Sequence, residues 1–259
     1  MLKSIIALLA IAMTTFVANA QEITPQAEEQ TETTAQITTE FTNSDIEDQL
    51  ASADVALIEA LHNEGFDFNQ KDSNGNPPIY YLLSQNVDLE VIKKAIEYGA
   101  DVNATAKNGV IPLNITTSKA NELQLHIMMM KTMGLDTSNP DVQEELKKTL
   151  FHEMTKAIET AKLLVENGAD VNLVSSLGTP LMNAVTNVWN LEIVKIFLDA
   201  GADVNAVDKN GKTALFYAYA SSNDEVVNLL IEHGADTTIT DYEGKVYSDM
   251  KKVNIAPAL

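Results

Sequence analysis

Four histidines, His62, His126, His152 and His233, are the side chains best suited to acid–base or metal chemistry in a chain that has no cysteine. Without cysteine, a thiolate nucleophile and a thiolate metal site are excluded. His152-Glu153 opens like the zinc-protease helix motif, whose second histidine must fall four residues after the first to share its face. That position holds Lys156, so the second ligand is missing. If the chain turns near residue 137, His152 lies level with about Asn121 and is displaced along the axis from His126, too far to share an ion. His62 and His233 fall in the last turns of expected helices, where the negative end of the helix dipole favours a partly positive ring. A structural role follows for both. No phosphate-cradling glycine loop and no G-x-S-x-G elbow occurs, and the acidic residues are scattered over outer helical faces. No catalytic residue, cofactor or metal is expected, and the chain is not read as an enzyme.

The charge balance narrows the partner. The 259 residues carry a formal charge of −20, and every basic residue is a lysine. Such a chain repels nucleic acid and anionic membranes, and neither is expected to bind it. A protein partner is expected instead, with the chain itself a monomer.

The elements that would position such a surface begin well inside the chain. Lys3, the apolar run Ile5 to Val17 and Ala18-Asn19-Ala20 have the layout of a cleavable signal peptide over residues 1–20. The apolar run is too short to span a bilayer as a helix, so no membrane contact is expected beyond the cleaved signal. Export follows, to a periplasmic or secreted location. Residues 21–43 are rich in Thr, Glu and Gln and include Glu22, Glu28, Glu29, Glu32 and Glu40. This acidic stretch reads as a disordered tether, because it buries too little apolar surface to offset its ordering entropy. Ser44-Asp45-Ile46-Glu47 then reads as a helix start, and one domain is expected over 44–259.

Self-similarity decides the architecture of that domain. Gly-Ala-Asp-Val-Asn occurs at Gly99–Asn103, Gly168–Asn172 and Gly201–Asn205, with weaker copies at Gly65–Asn69 and Gly234–Thr238. The leading glycines are 34, 69, 33 and 33 residues apart, and Gly75, Gly109, Gly178, Gly211 and Gly244 repeat the same spacings. Within one unit, Asn190 to Ala200 has helical apolar periodicity and Gly201 ends the helix. Asp203 to Lys209 is expected to run extended, Asn210-Gly211 to turn, and Thr213-Ala214-Leu215 to open the next short helix.

At these residues the chain resembles the ankyrin-repeat family, whose period is about 33 residues. The layout is that of an exported bacterial member. The resemblance implies an all-α solenoid of helix-turn-helix repeats joined by β-hairpin-like tips. The histidine of the family's T-P-L-H signature is replaced by Tyr80, Asn114, Met182 and Phe216. Losing that local hydrogen bond implies a somewhat softer array. Val55 to Glu64 reads as a solitary first outer helix and Val246 to Val253 as a truncated last one, as array ends require.

The 69-residue interval exceeds one period by 36 residues, an insertion centred on about 122–155. Ala120, Leu123, Ile127 and Met130 on one arm, and Val142, Leu146, Leu150, Met154, Ala157, Ala161 and Leu164 on the other, repeat every three or four residues. Both helices of this unit are therefore expected to lengthen into a projecting antiparallel hairpin. Met128, Met129, Met130 and Met133 lie on it, and at least one of three consecutive methionines must face outward. Thioethers suit adaptable recognition.

The resemblance also implies that partners are gripped by the tips and the inner helices. Carried to this sequence, the partner-binding candidates are Lys107, Asn108, Val110, Lys119, Met129, Leu177, Trp189, Lys209, Asn210, Lys212, Tyr242 and Lys245. The five lysines among them would orient an acidic patch of the partner. Leu177 and Trp189 have the character of anchors. The function expected is an exported scaffold or accessory factor binding a protein through its concave face and hairpin. An inhibitor or immunity-type protein neutralising a basic toxin or enzyme is the alternative, and a structural cell-envelope protein a third reading.

Overall fold

The computed structural model describes residues 49–85, 87–118, 139–187 and 190–249. All of them belong to the compact unit Glu47–Leu259. The helices are α1 (Val55–Asn63), α2 (Pro78–Ser84), α3 (Leu89–Glu97), α4 (helical at residues 112–118), α5 (Pro140–Glu166), α6 (Pro180–Ala184), α7 (Leu191–Asp199), α8 (Ala214–Ala220) and α9 (Asp224–Glu232). One turn of 3-10 helix, Tyr247–Asp249, follows. Among the described residues there is no strand, only single β-bridges at Ser175–Gly178 and Thr240–Val246. Short inner helices (α2, α4, α6, α8) alternate with outer ones (α1, α3, α5, α7, α9). The outer helices α1, α3, α5 and α7 pack in sequence, and α6 packs on α8. This is a helical solenoid.

The inner helices start where a missing N–H costs nothing. Pro78 opens α2 and Pro180 opens α6, and the Thr179 hydroxyl accepts from Met182 N at 3.3 Å. Each outer helix stops at a glycine. Gly168, with φ +87°, closes α5 as only glycine does without strain, so that Ala169 N bonds back to Leu164 O at 2.9 Å. The core between the layers is aliphatic and aromatic, with Phe68, Phe197 and Phe216 fully buried beside Ile58, Leu82, Leu113 and Leu164.

What joins the units is one polar device used four times. The last residue of the Gly-Ala-Asp-Val-Asn segment places its amide across the junction to the next unit. Asn69 donates to Gly99 O and accepts from Asp101 N, both at 2.8 Å. Asn103 does the same to Gly168 O (3.0 Å) and Asp170 N (2.8 Å). Asn172 reaches Gly201 O (3.1 Å) and Asp203 N (2.7 Å), and Asn205 reaches Gly234 O (3.1 Å) and Asp236 N (2.8 Å). The preceding aspartate shapes each clamp, as Asp203 Oδ1 accepts from Asn205 N at 2.9 Å. The final copy ends in Thr238, whose hydroxyl donates to Asp236 Oδ1 at 2.6 Å.

Three expectations need correcting. Residues 203–205 do not run extended, because the Asp203 side chain captures the amide of Asn205 and folds the segment into a turn that aims the Asn205 amide. The outer helix α1 is not solitary. Residues 49–51 are helical just before it, and Leu50 is fully buried. At the other end, the described part of the truncated helix expected from Val246 is a single 3-10 turn. It is held by the Asp249 carboxylate on Val246 N (3.0 Å).

The second arm of the expected hairpin is α5, one continuous helix of 27 residues, capped by Asn139 on Asp141 N at 2.9 Å. Its neighbours α3 and α7 have nine residues each. At about 1.5 Å per residue, α5 runs roughly 25 Å beyond them. Leu146, Leu150, Ala157, Ala161 and Leu164 of the expected stripe are buried and Val142 and Met154 half-buried. The first arm beyond residue 118, with Lys119, His126 and Met129, lies outside the described residues, as do the signal peptide, the acidic stretch and Trp189.

Two stability outcomes follow. Asn205→Ala removes both halves of one clamp at an exposed junction and is expected to cost about 1–2 kcal/mol in urea unfolding. Asn114, fully buried on α4, has both side-chain polar atoms without a partner among the described residues, so Asn114→Leu is expected to stabilise the chain by about 1 kcal/mol. A lower unfolding midpoint for Asn114→Leu would mean that the amide is satisfied in solution.

Candidate protein-binding surface

Three of the tips lean on the one before. Lys107 N donates to Asn76 Oδ1 (3.2 Å), Ser176 N to Gly109 O (3.0 Å) and Tyr242 N to Asn210 O (2.9 Å). Gly211, with φ +80°, is needed at its tip for a second reason. A Cβ there would stand 2.7 Å from Tyr242 Cδ1, so the glycine makes the floor on which that ring lies.

Inside four of the five tips the turn is held by a side chain at its first corner, Asp72, Ser175, Asp208 or Asp241. Asp208 Oδ1 accepts from Asn210 N and Lys212 N, both at 2.8 Å, and Asp208 Oδ2 accepts from Asn210 Nδ2 (3.2 Å) and from the Tyr217 hydroxyl (2.5 Å). Asp72 does the same for Asn76 N (2.9 Å) and receives the Tyr81 hydroxyl. Tyr81 and Tyr217 sit one residue past the replaced signature histidine and tie the inner helix to the tip in its place. The local bond expected to be lost is thus rebuilt in two units. Its sequence signal is a tyrosine nine residues after the aspartate, and it went unread. The other two units lack the pair: Ala106 and Ser175 stand at the corner, and Ile115 and Asn183 at the tyrosine position.

Burial, and next the hydrogen bond to aspartate, push the hydroxyls of Tyr81 and Tyr217 up to about 12. Burial works to raise the carboxyl of Asp208, but the bonds from Tyr217, Lys212 and Asn210 outweigh it and hold the group below the usual carboxylate range.

The candidates divide by what they touch. Lys107, Lys209 and Asn210 are exposed at the tips, while Lys212 and Val110 are half-buried. Asn108 and Asn210 spend their side chains on their own turns, on Val110 N (3.1 Å) and on Asp208. Lys245 pairs with Glu243 at 2.6 Å, whereas Lys107, Lys209 and Lys212 have no ion pair among the described residues. Leu177 (49% exposed) and Tyr242 (75% exposed) show apolar area to solvent, joined by Val174 and Val207. Leu177 sits before α6, and residues 185–187 leave its far end, so the helix-to-helix turn of that unit is not part of the tip row. For the same reason the overhanging part of α5 lies at the end of the helices opposite the tips.

No catalytic arrangement emerges among the described residues, where no three His, Asp or Glu side chains are grouped to hold a metal ion. His62 stacks on Tyr98 of the next unit, with ring centroids 3.8 Å apart and planes 1° from parallel. His233 Nδ1 lies 2.8 Å from Leu229 O at its own helix end. Both are structural, and His152 stands exposed on α5. Among the described residues, no helix is long and apolar enough to cross a membrane.

Residues 151–241 match the family model described as ankyrin repeats, in three copies. A 65-residue stretch, 25% of the chain, is 32% identical to an ankyrin repeat protein of Rickettsia felis, and 48 residues, 18% of the chain, are 42% identical to one of fowlpox virus. These stretches span only 17% and 9% of those two proteins. Residues 151–241 thus carry ankyrin repeats, which generally serve as protein–protein interaction modules. The unit containing Asn69 and Gly99 lies before the matched residues and repeats the same clamp.

The tyrosine–aspartate pairs make stability depend on pH in a stated direction. A tyrosine raised in the folded chain contributes fully below its unfolded value of about 10, and that contribution is lost as pH rises through about 12. The lowered Asp208 contributes above the unfolded carboxylate value and loses its contribution as pH falls through its folded one. Tyr217→Phe is expected to cost about 1–2 kcal/mol at pH 7. The Tyr81→Phe, Tyr217→Phe double variant should also lose less stability between pH 10 and 12 than the parent does, as read by circular dichroism. An identical alkaline loss in both chains would show that the pairs carry no such energy.

Proposed function

We propose that this chain is an exported scaffold or accessory factor that binds a protein through its row of tips and inner helices. The observation that carries the reading is the company of cations and apolar side chains along one row. At the tips Lys107 and Lys209, without an ion pair among the described residues, stand beside exposed Leu177 and Tyr242. Free cations next to exposed apolar side chains, on a body of net charge −20, favour an acidic patch of the partner on the tip row and repel acidic surfaces elsewhere. Export rests on the layout of residues 1–20, and a monomer is the state in which the tip row is open. Excess negative charge also favours a second reading, an inhibitor that neutralises a basic toxin or enzyme, which would engage the acidic outer faces instead.

The overhang of α5 is the other candidate surface, and one experiment separates it from the tips. The mature chain and a chain lacking residues 122–153 are compared as baits on the exported fraction of the source cells. Capture of one stoichiometric partner by both baits is expected and places the site on the tips and inner helices. Capture by the intact chain alone moves the site to the hairpin. Capture by neither removes the reading and favours a structural role in the cell envelope.

A further inference from the structure

Three of the four junctions between neighbouring tips are closed by two contacts. The residue after the turn's first corner donates its N–H to the tip before, Lys107 to Asn76 Oδ1, Ser176 to Gly109 O and Tyr242 to Asn210 O. Its side chain also lies against the glycine of the tip before. Measured from where a Cβ on that glycine would stand, Lys107 Cβ is 3.2 Å from Gly75, Ser176 Cβ 2.9 Å from Gly109 and Tyr242 Cδ1 2.7 Å from Gly211.

The junction between residues 173–178 and 206–212 has neither contact. Lys209 occupies the donor position, and among the described residues its N–H has no partner. The three atoms nearest a Cβ on Gly178 all belong to Met182 of its own unit. The cause is one missing residue. Gly75-Asn76-Pro77-Pro78 and Gly109-Val110-Ile111-Pro112 correspond here to Gly178-Thr179-Pro180. The shortened tip closes on itself, with Ser175 N on Gly178 O (3.0 Å), Gly178 N on Ser175 O (3.1 Å) and the Ser175 hydroxyl also on Gly178 O (2.8 Å). The Leu177 carbonyl, like the Lys209 N–H, is left without a partner among the described residues. Around this opening Val174 is 72%, Leu177 49% and Val207 50% exposed. Lys209 and Lys212 flank it, and the acid between them and Val207 in sequence, Asp208, is already saturated by its own turn and Tyr217.

We propose that this open junction takes up an extended segment of the partner protein, so that the segment supplies the contacts the missing residue would have made. A backbone carbonyl of the segment accepts from Lys209 N–H, and its N–H donates to the Leu177 carbonyl. An apolar side chain covers Leu177 and Val207, and an acidic side chain next to it meets Lys209. Exposed, unpaired backbone groups favour an added extended chain, and the unpaired lysines select an acidic one. The proposal rests on the protein-binding reading above and assigns its site.

The test uses the mature chain and a fluorescein-labelled peptide of alternating aspartate and valine, with a lysine–valine peptide as control. By anisotropy at low salt the acidic peptide is expected to bind about tenfold or more tighter than the basic one. It should shift the Lys209 and Leu177 amide resonances while leaving those of Ser176 and Tyr242 in place. Inserting one asparagine between Gly178 and Thr179 should close the junction and lower the affinity about tenfold. If that chain fails to fold, Leu177→Ser with Lys209→Ser tests the same site and should have the same effect. Equal binding of both peptides, resonance shifts elsewhere, or full affinity in these variants would overturn the proposal. Concentration-dependent self-association that the insertion abolishes would overturn it too, giving the junction to a second copy. If the variants still capture the cellular partner fully, the junction is wrong and the binding module stands. If no bait captures a partner, the module reading itself fails.

Discussion

The asparagine amide that crosses each junction is the interaction on which the rest of this structure depends. A repeat unit of two short helices cannot bury its apolar face alone, so stability must come from the neighbour. The apolar contact supplies most of the energy but little angular definition. The clamp supplies the definition, because one planar amide must satisfy a carbonyl and an N–H of the next unit at once. It also explains why the same five residues recur. Glycine ends the helix and presents the carbonyl, aspartate presents the N–H and folds the turn, and asparagine reaches forward.

That clamp is what allows the insertion. Asn103 makes its two bonds to Gly168 and Asp170 although 65 and 67 residues separate them. The register of the array is therefore held at the tip side of the unit, while the extra residues leave from the other side. An overhang of this kind leaves the junction energy untouched, since loop length costs little once both ends are pinned. The overhang of α5 and the tips lie at opposite ends of the helices.

Polar repair of the tips is uneven along the chain. The first and fourth tips carry an aspartate–tyrosine pair that replaces the signature histidine. In the second, Ala106 has no acceptor to offer, and Asn114 is buried with its amide unsatisfied among the described residues. The third substitutes Ser175 and closes its turn one residue early, which opens the junction beside it. The aspartate–tyrosine pairs thus stand at the first and fourth tips, and the α5 overhang and the exposed Val174 and Leu177 come between them in the chain.

The period and the starts and stops of the middle helices were legible in the chain, because local chemistry dictates them, whereas the helical residues 49–51 and the 3-10 turn Tyr247–Asp249 were not. Gly201 ends a helix, Pro180 starts one, and apolar residues every three or four positions along Val142 to Leu164 fix which face of α5 is buried. The tip candidates were legible as a row, since identical units must place Lys107, Lys209 and Tyr242 alike. Tertiary structure decided which of them are free. Lys245 and Lys212 hold the same place in their turns, but Lys245 is paired with Glu243 and Lys212 has no ion pair among the described residues. Leu177 and Lys209 become a site only because Ser175 and Gly178 close on each other and withdraw from the next tip. That outcome depends on distances across a junction, and a one-dimensional pattern of residue types carries no such distances.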